Sequence, residues 1–489
     1  MDFETIIGLE VHAQLLTASK MYCRCSAGYA GAPPNTFVCP VCLGMPGVLP
    51  VINQQAVEYV IMTALALNCT VSDYTKFDRK NYPYPDLMKG YQISQYDAPI
   101  GHDGWLDVDV DGERKKIRVT RVHLEEDVAR LTHCAAAGGE SYSLVDVNRA
   151  GTPLMEVVGE PDLRSPEEAR QYLIKLRNIL RCLGVSTGNM EEGSFRCDAN
   201  ISIRPRGTSE MLTKVEVKNM NSFRAVFRAM EYEARRQRKA VAEGKKLVQE
   251  TRGWVEEKGK TVSQRSKEYA HDYRYFPEPD LPPVFIGREW VKEVKAKLPE
   301  LPEARRDRLV AEYGLPDYDA GLLVGSKEMA DYFEICLKET APGDRAVTGR
   351  PKAVSNWLLG EFSRLLNANG IEIGDSRVRP EQLCRLIDLV DKGSVSGTSA
   401  KMVFEEMFQT GKGAAEIIKQ RGLGQISDTG QIETEVTAAI ENNPQAAADY
   451  KAGKAPALKF LVGQVMRVTK GRANPELVSE LLKKKLEEG

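Results

Sequence analysis

The chain has 489 residues, which suggests about three domains, and its 67 lysines and arginines against 69 aspartates and glutamates give a formal net charge of −2. This balance excludes a protein that coats nucleic acid through bulk positive charge, although a local basic face remains open. A hydrophobic content of 42% is typical of a globular protein, and no apolar run approaches the roughly 18 residues of a membrane span. Acidic Asp2 and Glu4 stand where a signal peptide carries basic residues. The sequence therefore predicts a globular cytoplasmic protein.

The first predicted element is a strand at residues 6–15, in which polar and apolar side chains alternate. Glu10, His12 and Gln14 fall on one face, and the residues between them are apolar. A carboxylate and an imidazole two residues apart on one face can bind the same hard cation. This strand therefore offers one pair of candidate metal ligands.

Two close pairs of cysteines follow this strand. Cys23 and Cys25 are separated by thirteen residues from Cys39 and Cys42, a spacing at which four thiolates can bind one tetrahedral Zn²⁺. The alternative is a nucleophile elbow at Cys42, but Pro40 occupies the position where such an elbow needs glycine. We therefore expect a structural zinc site.

Three later segments, residues 121–127, 197–204 and 215–218, repeat the alternation of the first strand. Their polar faces carry Arg121, His123, Glu125 and Asp127, then Asp198, Asn200, Ser202 and Arg204, and finally Glu216 and Lys218. One such strand would indicate only the solvated face of an antiparallel sheet. Four strands rich in glutamate, aspartate and histidine favour an active-site face that binds Mg²⁺ or Mn²⁺ with a nucleotide's phosphates.

Two helices interrupt the strands. The first is predicted after Ser165, which serves as N-cap before Pro166, and it ends at Gly184. The second is predicted at residues 223–242 and carries many arginines.

Proline-rich and glycine-rich segments predict the domain boundaries. Residues 276–283 contain four prolines and can continue neither a helix nor a central strand, and the pattern after them is helical. A weaker break lies at residues 411–413. The predicted domains are residues 1–290, a strand-rich domain with the cysteine site, residues 291–408, a helical domain, and residues 409–489, a small all-helical tail.

The tail carries the positive charge of the chain. From residue 451 to residue 489 there are nine basic and four acidic residues, a net charge of +5. Lys470 and Arg472 lie in a short segment between two predicted helices. A solvated helical surface explains most such runs, whereas contact with the phosphates of a folded RNA is the functional alternative.

Several nucleotide and hydrolase motifs are absent from the sequence. There is no P-loop, no dinucleotide-binding glycine motif after a strand, no set of kinase motifs, and no serine nucleophile elbow. ATP would therefore have to bind in another way.

Long motifs in a fixed order resemble those of one family, the B subunit of the bacterial aspartyl/glutamyl-tRNA amidotransferase. The resemblance covers residues 3–487 and is most specific in the first 290 residues. The motifs span residues 7–15, 39–47, 79–87, 90–95, 123–127, 146–151, 196–200 and 273–281.

The resemblance implies an α+β fold and one subunit of a three-subunit enzyme. A cradle of antiparallel strands, similar in fold to glutamine synthetase, would precede an all-α helical domain and a small all-α tail domain that recognises tRNA. This subunit would use ATP and Mg²⁺ to phosphorylate the side-chain carboxylate of mischarged Glu-tRNA(Gln), Asp-tRNA(Asn) or both. Ammonia from the glutaminase subunit of the enzyme, which a third, small subunit holds to this one, would then displace the phosphate.

The resemblance also implies site residues. The predicted metal and catalytic residues are Glu10, His12 and Glu125, with Glu126 and Asp198 as additional candidates. The candidates for phosphate or carboxylate contacts are Arg79, Lys80, Arg196 and Arg274, together with Lys218, for which a structural role is favoured. Two other function classes remain open: a tRNA-binding scaffold without catalysis, and a self-contained ligase that acts on a free amino acid.

Overall fold

The computed structural model describes residues 2–135, 141–266, 273–338, 349–423, 429–469 and 473–488. It divides into two compact units, Met1–Pro302 and Glu303–Gly489. Within the described residues, no helix combines the length and the apolarity needed to cross a bilayer. The expected mixed fold, a large sheet followed by a helical C-terminal region, is confirmed.

The first unit holds all the strands that the structure describes. They are β1 (Phe3–Gln14), β2 (Thr70–Val71), β3 (Tyr74–Thr75), β4 (Asp78–Asn81), β5 (Tyr91–Ser94), β6 (Gly101–Val110), β7 (Glu113–Glu126), β8 (Arg130–Ala135), β9 (Ser141–Asp146), β10 (Pro153–Gly159), β11 (Phe195–Pro205), β12 (Val215–Lys218), β13 (Glu250–Val255), β14 (Lys260–Ser266), β15 (Phe276–Pro277) and β16 (Val284–Phe285). Its helices are α1 (Gln54–Ala66), α2 (Pro166–Cys182), α3 (Phe223–Ala242) and α4 (Arg288–Ala296).

Nine strands form the main sheet, in the order β14-β13-β12-β11-β1-β10-β7-β6-β2. The sheet is not purely antiparallel as expected, because β12 and β13 pair in parallel. The helix α3 lies between these two strands in the chain and provides the crossover that a parallel pair requires. Smaller sheets join β15, β4 and β5, then β16 and β3, and finally the hairpin of β8 and β9.

The main sheet has one apolar and one polar face. On β1, the side chains of Ile7, Leu9 and Val11 are fully or almost fully buried, as the alternation predicted. They belong to the same core as Leu173 of α2 and Val226 of α3, so these two helices cover the apolar face. The polar face is therefore left to line a cavity.

Both helices of the first unit that the sequence predicted are confirmed. The Ser165 hydroxyl accepts a hydrogen bond from the backbone N–H of Glu168 at 3.1 Å and caps α2, and Ser222 caps α3 in the same way. The α4 helix, which crosses the predicted boundary at residue 290, packs its buried Val294 into the core of the first unit.

The second unit is helical in its described residues. Its helices are α5 (Pro302–Tyr313), α6 (Asp317–Leu323), α7 (Lys327–Lys338), α8 (Arg350–Trp357), α9 (Ser363–Asn369), α10 (Pro380–Asp391), α11 (Gly397–Thr410), α12 (Ala414–Arg421), α13 (Thr429–Glu441), α14 (Pro444–Lys451), α15 (Ala455–Val468) and α16 (Pro475–Glu488). One turn of π-helix, Leu358–Phe362, joins α8 to α9.

The described residues of the second unit form two separate hydrophobic cores. One is built around residues such as Phe333 and Phe404, and the other around residues such as Leu461. Ala414 and Ile417 of α12 belong to the first of these cores, although α12 lies beyond the predicted boundary at residue 408. The predicted nucleic-acid residues Lys470 and Arg472 lie outside the described residues.

Candidate active site

A cavity of about 900 Å³ lies over the polar face of the main sheet. The antiparallel register of β1, β10 and β7 determines which side chains meet there. His12 lies opposite Glu156 of β10, and Glu156 in turn lies opposite His123 of β7. Side chains opposite each other on neighbouring strands are in contact range, so this register builds a row of acidic and imidazole groups.

Three side chains converge at the centre of this row. The Nε2 atom of His12 lies 3.4 Å from a carboxylate oxygen of Glu125 and 3.6 Å from one of Glu156. One ligand atom from each of the three lies within 4.8 Å of the other two, so the group has the geometry to bind one metal ion. We call His12, Glu125 and Glu156 the central cluster.

The central cluster has an excess of negative charge. Burial opposes a charge on His12, but Glu156, Glu125 and Asp198 together outweigh burial and raise the pKa of His12 to about 9. Burial also disfavours a charge on Glu156, but His123 and His12 outweigh it and lower the pKa of Glu156. The two buried carboxylates therefore favour a cation between them, either a proton on His12 or a metal ion that takes the place of that proton.

Glu10 and Asp198 lie beside the central cluster and are not part of it. They are opposite each other on β1 and β11, and the Glu10 carboxylate accepts a hydrogen bond from Asn200 at 2.9 Å. Burial raises the pKa of Glu10, and the charges of Glu156, Asp198 and Glu216 add to this effect. We call Glu10, Asp198 and Glu216 the second acidic group. Lys218 is its cationic partner, with Nζ at 2.5 Å from an Asp198 carboxylate oxygen.

Glu126 does not reach the central cluster. Successive side chains of a strand point to opposite faces, so the neighbour of Glu125 points away from the cavity. The Glu126 carboxylate pairs with Lys89 and accepts a hydrogen bond from the backbone N–H of Ile93 at 3.0 Å. Its predicted role as an additional metal ligand therefore has no support from its position.

Of the five predicted basic contacts, Lys80, Arg196 and Lys218 line the cavity, and Arg79 and Arg274 do not. Arg196 donates to Asp127 at 3.0 Å through one terminal nitrogen, while its buried Nε has no hydrogen-bond partner among the residues that the structure describes. Arg79 instead makes a bidentate pair with the buried Glu278, with both N–O distances at 2.7 Å. Arg274 is exposed.

The four cysteines also converge. Their sulfurs all lie within 4.8 Å of one another, and Cys42 is 3.6 Å from Cys23 and 3.7 Å from Cys39. In a tetrahedral site with Zn–S bonds of about 2.3 Å, neighbouring sulfurs lie about 3.8 Å apart. The spacing of the thiols therefore fits a zinc ion.

A buried lysine lies against the cysteines. Lys20 is 1% exposed, and its ammonium group contacts the Cys42 sulfur at 3.5 Å and donates to the carbonyls of Phe37 at 2.9 Å and Val147 at 3.3 Å. A hydrogen bond from Cys23, together with the Lys20 charge, lowers the pKa of Cys42 to about 4. A buried ammonium needs a nearby anion, and a thiolate cluster provides one.

Sequence reasoning missed Glu156 and most of the cavity wall. Glu156 is the one charged residue in β10, which otherwise reads as a buried apolar strand, and that isolated charge was the available signal. The missed wall residues include four tyrosines, Lys214 and Gln249.

Two family models match the chain. The model described as the GatB/GatE catalytic domain matches residues 5–292, and the model described as the GatB domain matches residues 331–486. The first match contains the central cluster, the second acidic group and the four cysteines.

Curated relatives match over the whole length, and each of the following is described as the B subunit of an aspartyl/glutamyl-tRNA(Asn/Gln) amidotransferase. The protein from Dehalococcoides mccartyi (strain CBDB1) is 59% identical over 493 residues, covering 100% of this chain and 99% of that protein. The protein from Carboxydothermus hydrogenoformans is 55% identical and covers 99% of both chains. The protein from Thermomicrobium roseum is 55% identical and covers 100% of this chain and 99% of that protein.

Proposed function

Because this chain belongs to the family of the B subunit of the aspartyl/glutamyl-tRNA(Asn/Gln) amidotransferase, we propose that amide formation takes place in the cavity of its first unit. The chain is a component of the ligase that converts mischarged Glu-tRNA(Gln) and Asp-tRNA(Asn) to their amidated forms. The location rests on the central cluster, in which the buried carboxylates of Glu125 and Glu156 converge on the imidazole of His12. The Glu156 carboxylate also pairs with the imidazole of His123.

The reaction needs an activated carboxylate. A carboxylate oxygen of the aminoacyl side chain attacks the γ-phosphorus of ATP, which forms an acyl phosphate and releases ADP. Ammonia then attacks the acyl carbon and expels inorganic phosphate, leaving the amide. Both steps bring anions together, so the site must supply positive charge.

The central cluster fits a magnesium ion. Two carboxylates and one imidazole are oxygen and nitrogen donors that suit a hard divalent cation with open positions for water and phosphate. Mg²⁺ held by His12, Glu125 and Glu156 would offset the negative charge of the nucleotide phosphates. His123 holds Glu156 from the other side at 3.3 Å and fixes its orientation.

The basic residues of the cavity bind the anionic groups. Burial opposes a charge on Lys80, but Glu125, Glu156 and the nearby tyrosines together outweigh burial and raise the pKa of Lys80, so the ammonium stays charged. The Arg196 side chain is partly exposed where it lines the cavity, so its guanidinium can bind a phosphate or the substrate carboxylate there. Lys218 is shared between Asp198 and Glu216, so we assign it to the scaffold of the second acidic group.

The cysteine site has a structural role. Zn²⁺ held by Cys23, Cys25, Cys39 and Cys42 would fix the segment between the two pairs. Lys20 compensates part of the negative charge of four thiolates. Because Cys42 lies in this cluster, it is not available as a glutaminase nucleophile, which supports ammonia supply from another chain.

The partners follow from the same reasoning. We assign ammonia production to a separate glutaminase subunit, with a third, small subunit that holds the glutaminase to this chain. We assign the role of the ammonia-accepting half to the main sheet with its polar face, and we propose that this sheet is the cradle of a glutamine synthetase-like fold. Aminoacyl-tRNA is made in the cytoplasm of bacteria, so the enzyme acts there.

The proposed function has a direct test. With its partner subunits and glutamine, the chain should hydrolyse ATP only when mischarged Glu-tRNA(Gln) or Asp-tRNA(Asn) is present, and ADP should form in a one-to-one ratio with amide. Free glutamate and uncharged tRNA are the controls. ATP use that is equally fast with free glutamate would support a self-contained ligase, and amide formation without ATP use would support a scaffold.

We propose that the tail binds the tRNA body through its positive charge. Lys470 and Arg472 belong to a segment with a net charge of +5 in a chain whose total is −2. A chain that ends at residue 423 keeps α12 with its core and removes only the second helical core. It should bind tRNA more weakly and with a flatter dependence on salt, because fewer counterions are released.

A double variant locates the effect. Lys470→Ala with Arg472→Ala should raise the Kd for tRNA and lower the slope of log K against log salt by up to about two. Lys258→Ala with Lys260→Ala, which removes the same charge from an exposed turn of the first unit, should leave both unchanged. An unaltered Kd and slope in the tail variant would show that its charge is only a solvated surface.

A further inference from the structure

Four tyrosines form one wall of the cavity, which we call the tyrosine wall. Tyr82 follows β4 and Tyr96 follows β5, while Tyr273 and Tyr275 come from the segment that leads into β15. The wall therefore combines parts of the chain that are almost 200 residues apart in sequence. The central cluster lines the same cavity.

The rings of the tyrosine wall contact one another in series. The ring centroids of Tyr82 and Tyr273 are 5.7 Å apart, and those of Tyr273 and Tyr275 are 6.0 Å apart. Tyr275 and Tyr96 are stacked at 4.2 Å with an angle of 12° between their planes. None of the four belongs to the buried core of the described residues, and Tyr96 is 54% exposed. Rings that are not needed to fill a core are available to a ligand.

Lys80 lies between the tyrosine wall and the central cluster. Its Nζ atom is 5.0 Å from the ring centroid of Tyr273 and 5.8 Å from that of Tyr82. The negative charges of the Glu125 and Glu156 carboxylates also stabilise the charged form of Lys80. A cation already occupies the position over these rings, so the wall is not a cage for a second cation. Lys80 therefore contacts the tyrosine wall and is close enough to the central cluster for the charges of that cluster to act on it.

Backbone and side-chain contacts hold the tyrosine wall in place. The backbone N–H of Asn81 donates to the carbonyl of Tyr273 at 2.9 Å, and the Asn81 side chain donates to the carbonyl of Arg274 at 2.9 Å. Arg79 of β4 makes its bidentate pair with the fully buried Glu278 three residues beyond Tyr275. The predicted phosphate ligand Arg79 therefore acts as a clamp for the wall.

We propose that the tyrosine wall binds an adenine base by stacking. The inference rests on the proposed function, which brings two adenine bases to this cavity, one in ATP and one in the 3′-terminal nucleotide of the tRNA. In either source the phosphates or the aminoacyl group lie beyond the base, in the direction of Lys80 and the central cluster. Aromatic side chains stack on nucleobases through the faces of their rings, so the ring and not the hydroxyl supplies this contact.

The test separates ring from hydroxyl and one adenine source from the other. Tyr275→Leu removes the ring, Tyr275→Phe keeps it, and Tyr84→Leu removes an exposed ring of the same region that does not line the cavity. In the complete amidotransferase, Tyr275→Leu should raise one KM roughly 5- to 100-fold, as expected for the loss of a base stack. A higher KM for ATP assigns the base to ATP, and a higher KM for mischarged tRNA assigns it to the terminal nucleotide.

The controls give the proposal clear outcomes. Tyr275→Phe and Tyr84→Leu should have near wild-type KM values, and Tyr96→Leu, at the exposed end of the stack, should repeat the effect of Tyr275→Leu. Unchanged KM values in both leucine variants, a loss confined to kcat, or an equal defect in Tyr275→Phe would overturn the proposal. A failure of the proposed function would appear separately, as wild-type enzyme without tRNA-dependent ATP hydrolysis.

Discussion

Glu156→Gln should lower tRNA-dependent ATP hydrolysis and amide formation by about a hundred- to a thousandfold, the effect of removing a charge that acts on the transition state. Glutamine has nearly the same shape, so the fold of β10 is kept while one anionic ligand of the central cluster is lost. Glu125→Gln should have a similar effect, because its carboxylate lies 3.4 Å from His12 in the same cluster. Steady-state ADP and amide assays measure both losses.

Two controls keep this result specific. Glu113→Gln changes an exposed carboxylate at the start of β7, the strand that carries Glu125, and should leave activity unchanged. Glutamine hydrolysis by the partner subunit should fall much less than ATP hydrolysis. The Mg²⁺ concentration for half-maximal rate should rise in the two cluster variants and stay constant in the control. Wild-type turnover in Glu156→Gln would remove the central cluster from the mechanism.

Cys42→Ser should remove zinc from the purified protein and destabilise the first unit. Cys42 contacts both Cys23 and Cys39, so its loss leaves at most three thiolates for the metal. The binding free energy of structural zinc is on the order of 10 kcal/mol in small domains, and this contribution is linked to folding. Metal analysis and thermal unfolding measure the two effects, which we expect to occur together.

A matched cysteine variant completes this test. Cys134→Ser changes a cysteine of β8 that is not part of the four-cysteine group. It should keep one zinc per chain and the wild-type melting temperature. Lys20→Met should bind zinc more weakly, because four thiolates would lose their nearest ammonium group. Wild-type protein purified without zinc, or zinc retained in Cys42→Ser, would contradict the structural zinc site.

The alternation of polar and apolar residues predicted the two faces of each strand, but it did not predict which strands lie next to each other in the sheet. Period-two alternation placed Glu10 and His12 on the polar face of β1, and the structure has them there. The same rule separates Glu125 from Glu126, so the position of Glu126 was available from the sequence. The single charge in β10 marked Glu156 as unusual, but strand register is set by contacts distant in sequence, so its position opposite His12 emerged only once β10 was placed beside β1.

The alternation of side chains between the two faces of a strand also explains where the predicted basic residues point. Arg79 and Lys80 are neighbours on β4, so only one of them can point into the cavity. The sequence does not say which, because this depends on Glu278, about 200 residues later, that pairs with Arg79. The parallel pairing of β13 is likewise a consequence of the helical crossover through α3 and not of the pattern of either strand.

The central claim is that the side-chain carboxylate of the mischarged amino acid is phosphorylated in the cavity of the first unit. The most direct measurement uses Glu-tRNA(Gln) whose side-chain carboxylate carries a heavy oxygen isotope, together with ATP, glutamine and the complete enzyme. Phosphorylation followed by displacement transfers one labelled oxygen to each inorganic phosphate, and mass spectrometry should find it there. Inorganic phosphate without the label, formed at the same rate as the amide, would contradict the account.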